Sequence, residues 1–409
     1  MSERVVITGI GCVSCFGTGH RAFVEAIGSG GSGIAPVARF DTADCRSHSA
    51  ATIRDFDPAA FISPLKLRRV DAVGRVAIAC ARLLFEDAGG VPGDHTGIAF
   101  GTFTAGLDSL VEYLDGLSEH GPAGAPAILF SNTVSNAPAS LCAIEFGLRG
   151  PNVTFNQREA SGLAALAFSV GAIRQGRTAA MVTGGADCVE ETFFKVHDRF
   201  RALSPMRGER GGGAEAARPF DRDRNGFILG EGGFLLLVES ASAADRRGAR
   251  VYGEIVGVGA TSSRTTPNGW PRDGAGLVKA MRIALADAGL LADQVAAVIG
   301  TSNGSPVLDR QEAAAIVEVF GGRPIPVASV KGAIGESGAA SAAGLIAGLF
   351  SIASGAVVPT AGFRQPDSAL VACVSGCQQP ARGEAFLVNS VASGGTNYSV
   401  AVRAGPGRP

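Results

Sequence analysis

Few residues in this chain could do chemistry, and most are badly placed for common mechanisms. The five histidines are His20, His48, His95, His120 and His197, so the second half of the 409 residues has no imidazole. Gly300-Thr301-Ser302-Asn303-Gly304 follows an apolar run and matches the G-x-S-x-G turn that presents a hydrolytic serine. That triad needs a histidine later in the chain than the serine, and none follows. Asp221-Arg222-Asp223-Arg224-Asn225-Gly226 begins like a calcium loop, but the place of the bidentate glutamate holds Gly232, with Glu231 one position early. Cys12-Val13-Ser14-Cys15 has the spacing of a redox or metal pair but lacks a second pair. Gly9-Ile10-Gly11 starts a dinucleotide fingerprint that fails at Ser14, where the third glycine belongs.

The elements around these residues repeat. Leu84-Phe85-Glu86-Asp87-Ala88-Gly89 closes an apolar-periodic helix, and a strand follows over Thr96–Thr102. Near an offset of 200, Leu285-Ala286-Asp287-Ala288-Gly289 closes another helix, followed by a strand over Val295–Thr301. Glycine ends both helices, as left-handed caps require. Val153-Thr154-Phe155 leads into a helix from Ala160 to about Arg174, and Val327–Val330 leads into one from about Ser337 to Ile352. The pattern predicts two α/β halves, 1–250 and 251–409, opening on strands Val5–Ile10 and Tyr252–Val258 and sharing a central layer of helices.

Composition narrows the function classes. Thirty-six basic and 37 acidic residues give a net charge of −1, which makes no electrostatic case for nucleic acid or an anionic membrane. Ser337–Thr360 carries no charge, but it is rich in Ala, Gly and Ser and ends in proline, so a buried helix is expected rather than a membrane span. The 58 glycines are about twice the usual share and point to tight turns and close packing. Eight scattered cysteines fit free thiols in a reducing cytoplasm.

Several stretches resemble landmarks of the β-ketoacyl-ACP synthases (ketosynthases), together covering essentially the whole chain. They are Val5–Gly11, Ala217–Gly232, the closing Asn389-Ser390 and Gly394-Gly395-Thr396-Asn397, and the turn Asn156-Gln157-Arg158-Glu159-Ala160-Ser161-Gly162. The resemblance implies a thiolase-like fold with duplicated α-β-α-β-α layers, substrates carried on the phosphopantetheine of an acyl carrier protein, and no dissociable cofactor or metal. Active members use a cysteine at a helix N-terminus and two histidines that support decarboxylation. Here Glu159 stands at the cysteine position, Thr301 and Glu336 at the histidine positions, and Ser393 at the phenylalanine gate, while Lys331 is retained.

Loss of all three catalytic groups resembles the chain-length factors of type II polyketide synthases, which pair with a catalytic ketosynthase and shape the acyl tunnel. Those proteins usually carry glutamine, not glutamate, at this position. A decarboxylating enzyme would need the missing histidine donors. A third reading uses Glu159 and Glu336 as an acid–base pair, since family geometry places both near one pocket and two close carboxylates split their pKa values. In the structural alternative a Glu–Lys ion pair plugs a disused cavity. The stripe Leu107, Leu110, Val111, Leu114 and Leu117 has helical spacing, which core packing would explain; by resemblance, Leu110, Val111, Tyr113 and Leu114 are tunnel candidates. By the same resemblance Ser131–Ser140, including Asn136, is expected to be the interface strand of a dimer.

Overall fold

Ten strands carry the fold, in two sets of five. The first set is β1 (Val5–Ser14), β2 (Gly97–Gly101), β3 (Asn152–Phe155), β4 (Ala180–Asp187) and β5 (Gly232–Ser240). The second is β6 (Gly253–Ser262), β7 (Val295–Ile299), β8 (Pro326–Ala328), β9 (Ala385–Val391) and β10 (Thr396–Ala404). The computed structural model describes residues 3–206, 215–367 and 373–405. The hydrogen-bonded order is β3-β2-β4-β5-β1 in the first half and β8-β7-β9-β10-β6 in the second, so the two halves have the same topology. In each, the first three strands of that order run parallel and the last two are antiparallel. The halves join where β1 and β6 pair antiparallel, Val6 opposite Glu254.

Among the helices that cover the strands are α1 (Ala72–Asp87), α2 (Leu107–His120), α3 (Ala137–Phe146), α4 (Ser161–Arg174), α5 (Glu191–Arg199), α6 (Ala275–Ala288), α7 (Pro306–Phe320) and α8 (Ala340–Ser354). Helices α4 and α8 pack on each other and on strands of both halves within one apolar cluster, which makes them the central layer. Separate clusters place α1 and α3 on the outer face of the first half, and α6 and α7 on that of the second. The resulting order is helix, sheet, helix, sheet, helix. The uncharged stretch from Ser337 forms α8, buried along nearly its whole length, because a helix that is apolar all round finds no stable place at a water-facing surface. Among the described residues no helix is long and apolar enough to cross a membrane.

Glycine decides how closely the outer helices approach. A Cβ on Gly11 of β1 would lie 1.9 Å from the Cys80 carbonyl oxygen of α1, and one on Gly259 of β6 would lie 1.9 Å from that of Ala280 in α6. Gly9-Ile10-Gly11 is therefore a helix seat, matched by Gly257-Val258-Gly259 in the other half.

Two expectations about the first half are corrected. Residues 131–140 contain no strand. A single turn, Phe130–Asn132, is followed by α3, with Pro138 in its first turn, where a fixed φ favours helix. The open strand edge belongs instead to β3, which has a partner only in β2. The Leu107–Leu117 stripe is also not core. Ser109 is the only buried residue of α2, and Leu114 is 48% exposed. Helix α2 packs on the turn Phe130–Asn132, with Tyr113 and Phe130 ring centroids 5.9 Å apart.

Candidate functional site

The site lies where the two central helices begin. Their first N–H groups, which have no partner within the helix, are satisfied across the halves. Gly162 N–H donates to the Gly338 carbonyl at 2.8 Å, and Leu163 N–H donates to Ser341 Oγ at 3.2 Å. Asp187, at the end of β4, fixes the same junction. Its carboxylate accepts from Phe103 N–H (2.6 Å), Thr104 N–H (2.8 Å) and Ala339 N–H (3.1 Å). Sequence reading passed over this aspartate because nothing near it in the chain shows what it binds.

Glu159 sits in the turn Arg158–Ala160 directly before α4 and is only 3% exposed. Ser393 holds its carboxylate: the backbone N–H donates at 3.0 Å and the hydroxyl lies 3.0 and 3.1 Å from the two oxygens. Burial, and then the charge of Glu336, push its pKa up to about 7; the bonds from Ser393 and the Lys331 ammonium oppose that rise.

Glu336 is held differently. Lys331 Nζ donates to its Oε2 at 2.8 Å, Asn303 Nδ2 to the same oxygen at 2.7 Å, and Ser337 N–H to Oε1 at 3.1 Å. Both side chains of the pair are 2% exposed. Burial raises the Glu336 pKa against the opposing Lys331 ammonium. Thr301 completes the cluster: Lys331 Nζ is 3.4 Å from its hydroxyl, which accepts from Val391 N–H at 3.1 Å. Glu159, Thr301, Lys331, Glu336 and Ser393 are therefore gathered at one junction.

The ion pair expected from the sequence is present between Lys331 and Glu336, but it does not fill the site. A cavity of about 550 Å³ remains open, lined by Glu159, Arg158 and Ser393 and walled by aromatic side chains including Phe103, Phe193, Phe227 and Trp270. Arg158 holds a left-handed backbone (φ 52°), with its carbonyl accepting from Ser161 Oγ at 2.7 Å. Its guanidinium donates to Ser393 Oγ (3.1 Å) and Asn268 Oδ1 (2.7 Å). His197 of α5 also lines the cavity. Its Nδ1 lies 2.8 Å from the Phe193 carbonyl, which can only accept, so Nδ1 carries the proton and Nε2 is left as an acceptor. Arg158 was legible as the neighbour of Glu159. His197 and Trp270 come from distant segments that no spacing connects.

The competing motifs have structural roles. Ser302 donates to the Glu312 carboxylate at 2.7 Å and is fully buried, so it is no nucleophile. Asp221 accepts from Arg364 and Gln365 N–H groups, and Glu231 binds Arg39, so the calcium-like stretch ties loops together. Cys12 and Cys15 are buried, and burial pushes both thiols up, Cys15 to about 12. No cluster of three or more metal-ligating His, Cys, Asp or Glu side chains exists among the described residues. Leu110, Val111, Tyr113 and Leu114 do not line the cavity, and Ser131 and Asn136 lie exposed at the surface near α2 and α3.

Comparison with known proteins gives the family. The beta-ketoacyl synthase N-terminal domain family matches residues 2–244 and the C-terminal domain family matches residues 252–364. The chain belongs to the β-ketoacyl synthase family. It is 34% identical over 387 residues to the tetracenomycin polyketide synthase ketoacyl synthase alpha subunit of Streptomyces glaucescens, covering 89% of this chain and 88% of that protein. It is 28% identical to the 3-oxoacyl-[acyl-carrier-protein] synthase 2 of Synechocystis, over 98% of both chains. Among solved structures, the ishigamide ketosynthase/chain length factor superposes with a TM-score of 0.91 at 30% identity, over 99% of this chain and all of that one. The fold is therefore the thiolase-like ketosynthase fold.

Proposed function

We propose that this protein is a non-condensing ketosynthase-like subunit of the chain-length-factor type, which pairs with an active ketosynthase in type II polyketide biosynthesis and helps shape the tunnel for an acyl chain carried on an acyl carrier protein. The observation that carries this reading is the closed Lys331–Glu336–Asn303 cluster, with Thr301 beside it, where a condensing enzyme needs two free imidazoles. The Lys331 ammonium is committed to Glu336 and Thr301, and the Glu336 carboxylate would repel a developing enolate rather than donate to it.

The surface also supports pairing. Leu114, Ile128, Phe130, Val134 and Ile144 are 48–78% exposed on α2, α3 and the segment between them. Large apolar side chains grouped in this way mark an interaction surface. The β3 edge lies in the same half, and α2 carries the tunnel candidates Leu110, Val111, Tyr113 and Leu114. Native mass spectrometry of the chain with the ketosynthase encoded beside it should give a one-to-one complex, weakened by Ile144→Asp together with Leu114→Asp. A homodimer that ignores the ketosynthase would overturn the proposal.

The open cavity, with Glu159 near pKa 7 at its floor, favours a second reading: acid–base chemistry on a malonyl- or acyl-carrier substrate. Turnover abolished by Glu159→Ala in a stable, assembled complex would select it. Unchanged product formation would exclude it.

A further inference from the structure

The cavity above Glu159 has a charge imbalance that the pairing role leaves unexplained. Arg158 and Arg201 both line it, and neither has an ion-pair partner among the described residues. Among the described residues Glu159 is the only carboxyl in the lining, and it is hydrogen-bonded by Ser393, not by an arginine. The other lining side chains are aromatic, aliphatic or neutral polar.

The site is also built rather than incidental. Arg158 and Arg201 are non-glycine residues at positive φ (52° and 57°), and of the four such residues described these two line this cavity. Backbone strain of this kind costs on the order of 1–3 kcal/mol per residue and persists where surroundings enforce it. Two neutral acceptors, Ser393 Oγ and Asn268 Oδ1, orient the Arg158 guanidinium, and its Cζ lies 5.9 Å from the Phe103 ring centroid.

We propose that this cavity binds a free carboxylate borne on an apolar body, with the Arg158 guanidinium taking the carboxylate and the ring of Phe103, Phe193, Phe227 and Trp270 holding the body. A planar guanidinium fork matches a carboxylate in two parallel hydrogen bonds. A thioester carbonyl would leave the arginine charge unbalanced, and a phosphate would bring a strongly hydrated charge against aromatic walls. Glu159 contributes in its acid form, which donates a hydrogen bond to the same ligand. Ionised, it repels it. Every charged or titratable group facing Glu159 enters this balance: Lys331 and Glu336 beneath it, and Arg158, Arg201 and His197 around the cavity. The site does not depend on whether the chain pairs with a ketosynthase.

Trp270 is the only tryptophan in the chain and lines the cavity, so its emission reports occupancy directly. The experiment titrates the full-length protein with octanoate, octanamide and inorganic phosphate. Octanoate should shift the emission saturably, while octanamide and phosphate bind at least about tenfold more weakly, the loss expected for one missing charge-assisted contact. Arg158→Gln should weaken octanoate at least about tenfold and Arg158→Lys partly, in proteins whose unfolding is unchanged. Raising pH from 5.5 to 8.5 (about 1.5 units either side of the Glu159 pKa) should weaken octanoate in the native protein but not in Glu159→Gln. Equal affinity for octanamide, tighter binding of phosphate, full affinity in folded Arg158→Gln, or no response at about 10 mM octanoate would each overturn the proposal.

Discussion

Glu159 and Glu336 occupy corresponding places in the two halves: each follows the outermost strand of its five-stranded set and precedes a central helix. Their surroundings differ. Glu336 is enclosed by an ammonium, an amide and a backbone N–H, and it does not line the cavity. Glu159 has one serine as partner and faces a cavity of about 550 Å³. A carboxylate in the same topological place can thus be a structural plug or a group able to titrate, depending on whether the turn that carries it also supplies a cation, as Lys331 does five residues before Glu336. Residue type and position along the repeat do not settle which.

The sharpest way to break this contrast is to remove the cation. Lys331→Met should leave Glu336 buried without its counter-charge and cost about 3–5 kcal/mol, the range for a buried pair that loses one partner. Urea denaturation would read the loss. Replacing Glu336 with Gln as well should recover part of it, and if the double variant is no more stable than the single, the ion-pair account is wrong.

The second test is pH. Glu159 has a folded pKa of about 7, above the ordinary carboxylate value, so the folded state holds a proton that the unfolded state releases. Stability from this group is therefore present at low pH and falls as pH rises from about 4.5 to 7, by on the order of 2–3 kcal/mol. Glu159→Gln should flatten that slope while leaving the low-pH stability nearly unchanged. A Glu336→Gln variant should lower the Glu159 pKa, because its neighbour's charge is gone.

The smallest effect is expected at Ser393. Ser393→Ala removes the hydroxyl bonds to Glu159 and to Arg158 but keeps the backbone N–H, so about 1–2 kcal/mol should be lost. The Glu159 midpoint should also rise, seen as a shift of the pH–stability curve to higher pH. A shift to lower pH would mean that Ser393 does not stabilise the ionised form.

The chain by itself determined a good deal. The repeated strand, turn and helix announced a duplicated α/β fold, because buried strands and small-residue helices have periods and lengths that can be read locally. The family turns pointed to Glu159, Thr301, Lys331, Glu336 and Ser393, and the absence of histidine after His197 is legible from the sequence alone. Other features depended on what lies across space. The paired Gly-x-Gly helix seats became meaningful only when α1 and α6 were found against them. Helix α2 has the stripe of a core helix and is nonetheless exposed, since periodicity specifies a face and not what covers it. The cavity joins Phe103, Arg158, His197, Trp270 and Ser393 from segments nearly 300 residues apart. Burial and neighbouring charge, which raise Glu159 and tie Glu336 to a lysine, are properties of the assembled junction. The tertiary structure alone decided which glutamate is closed and which faces a pocket.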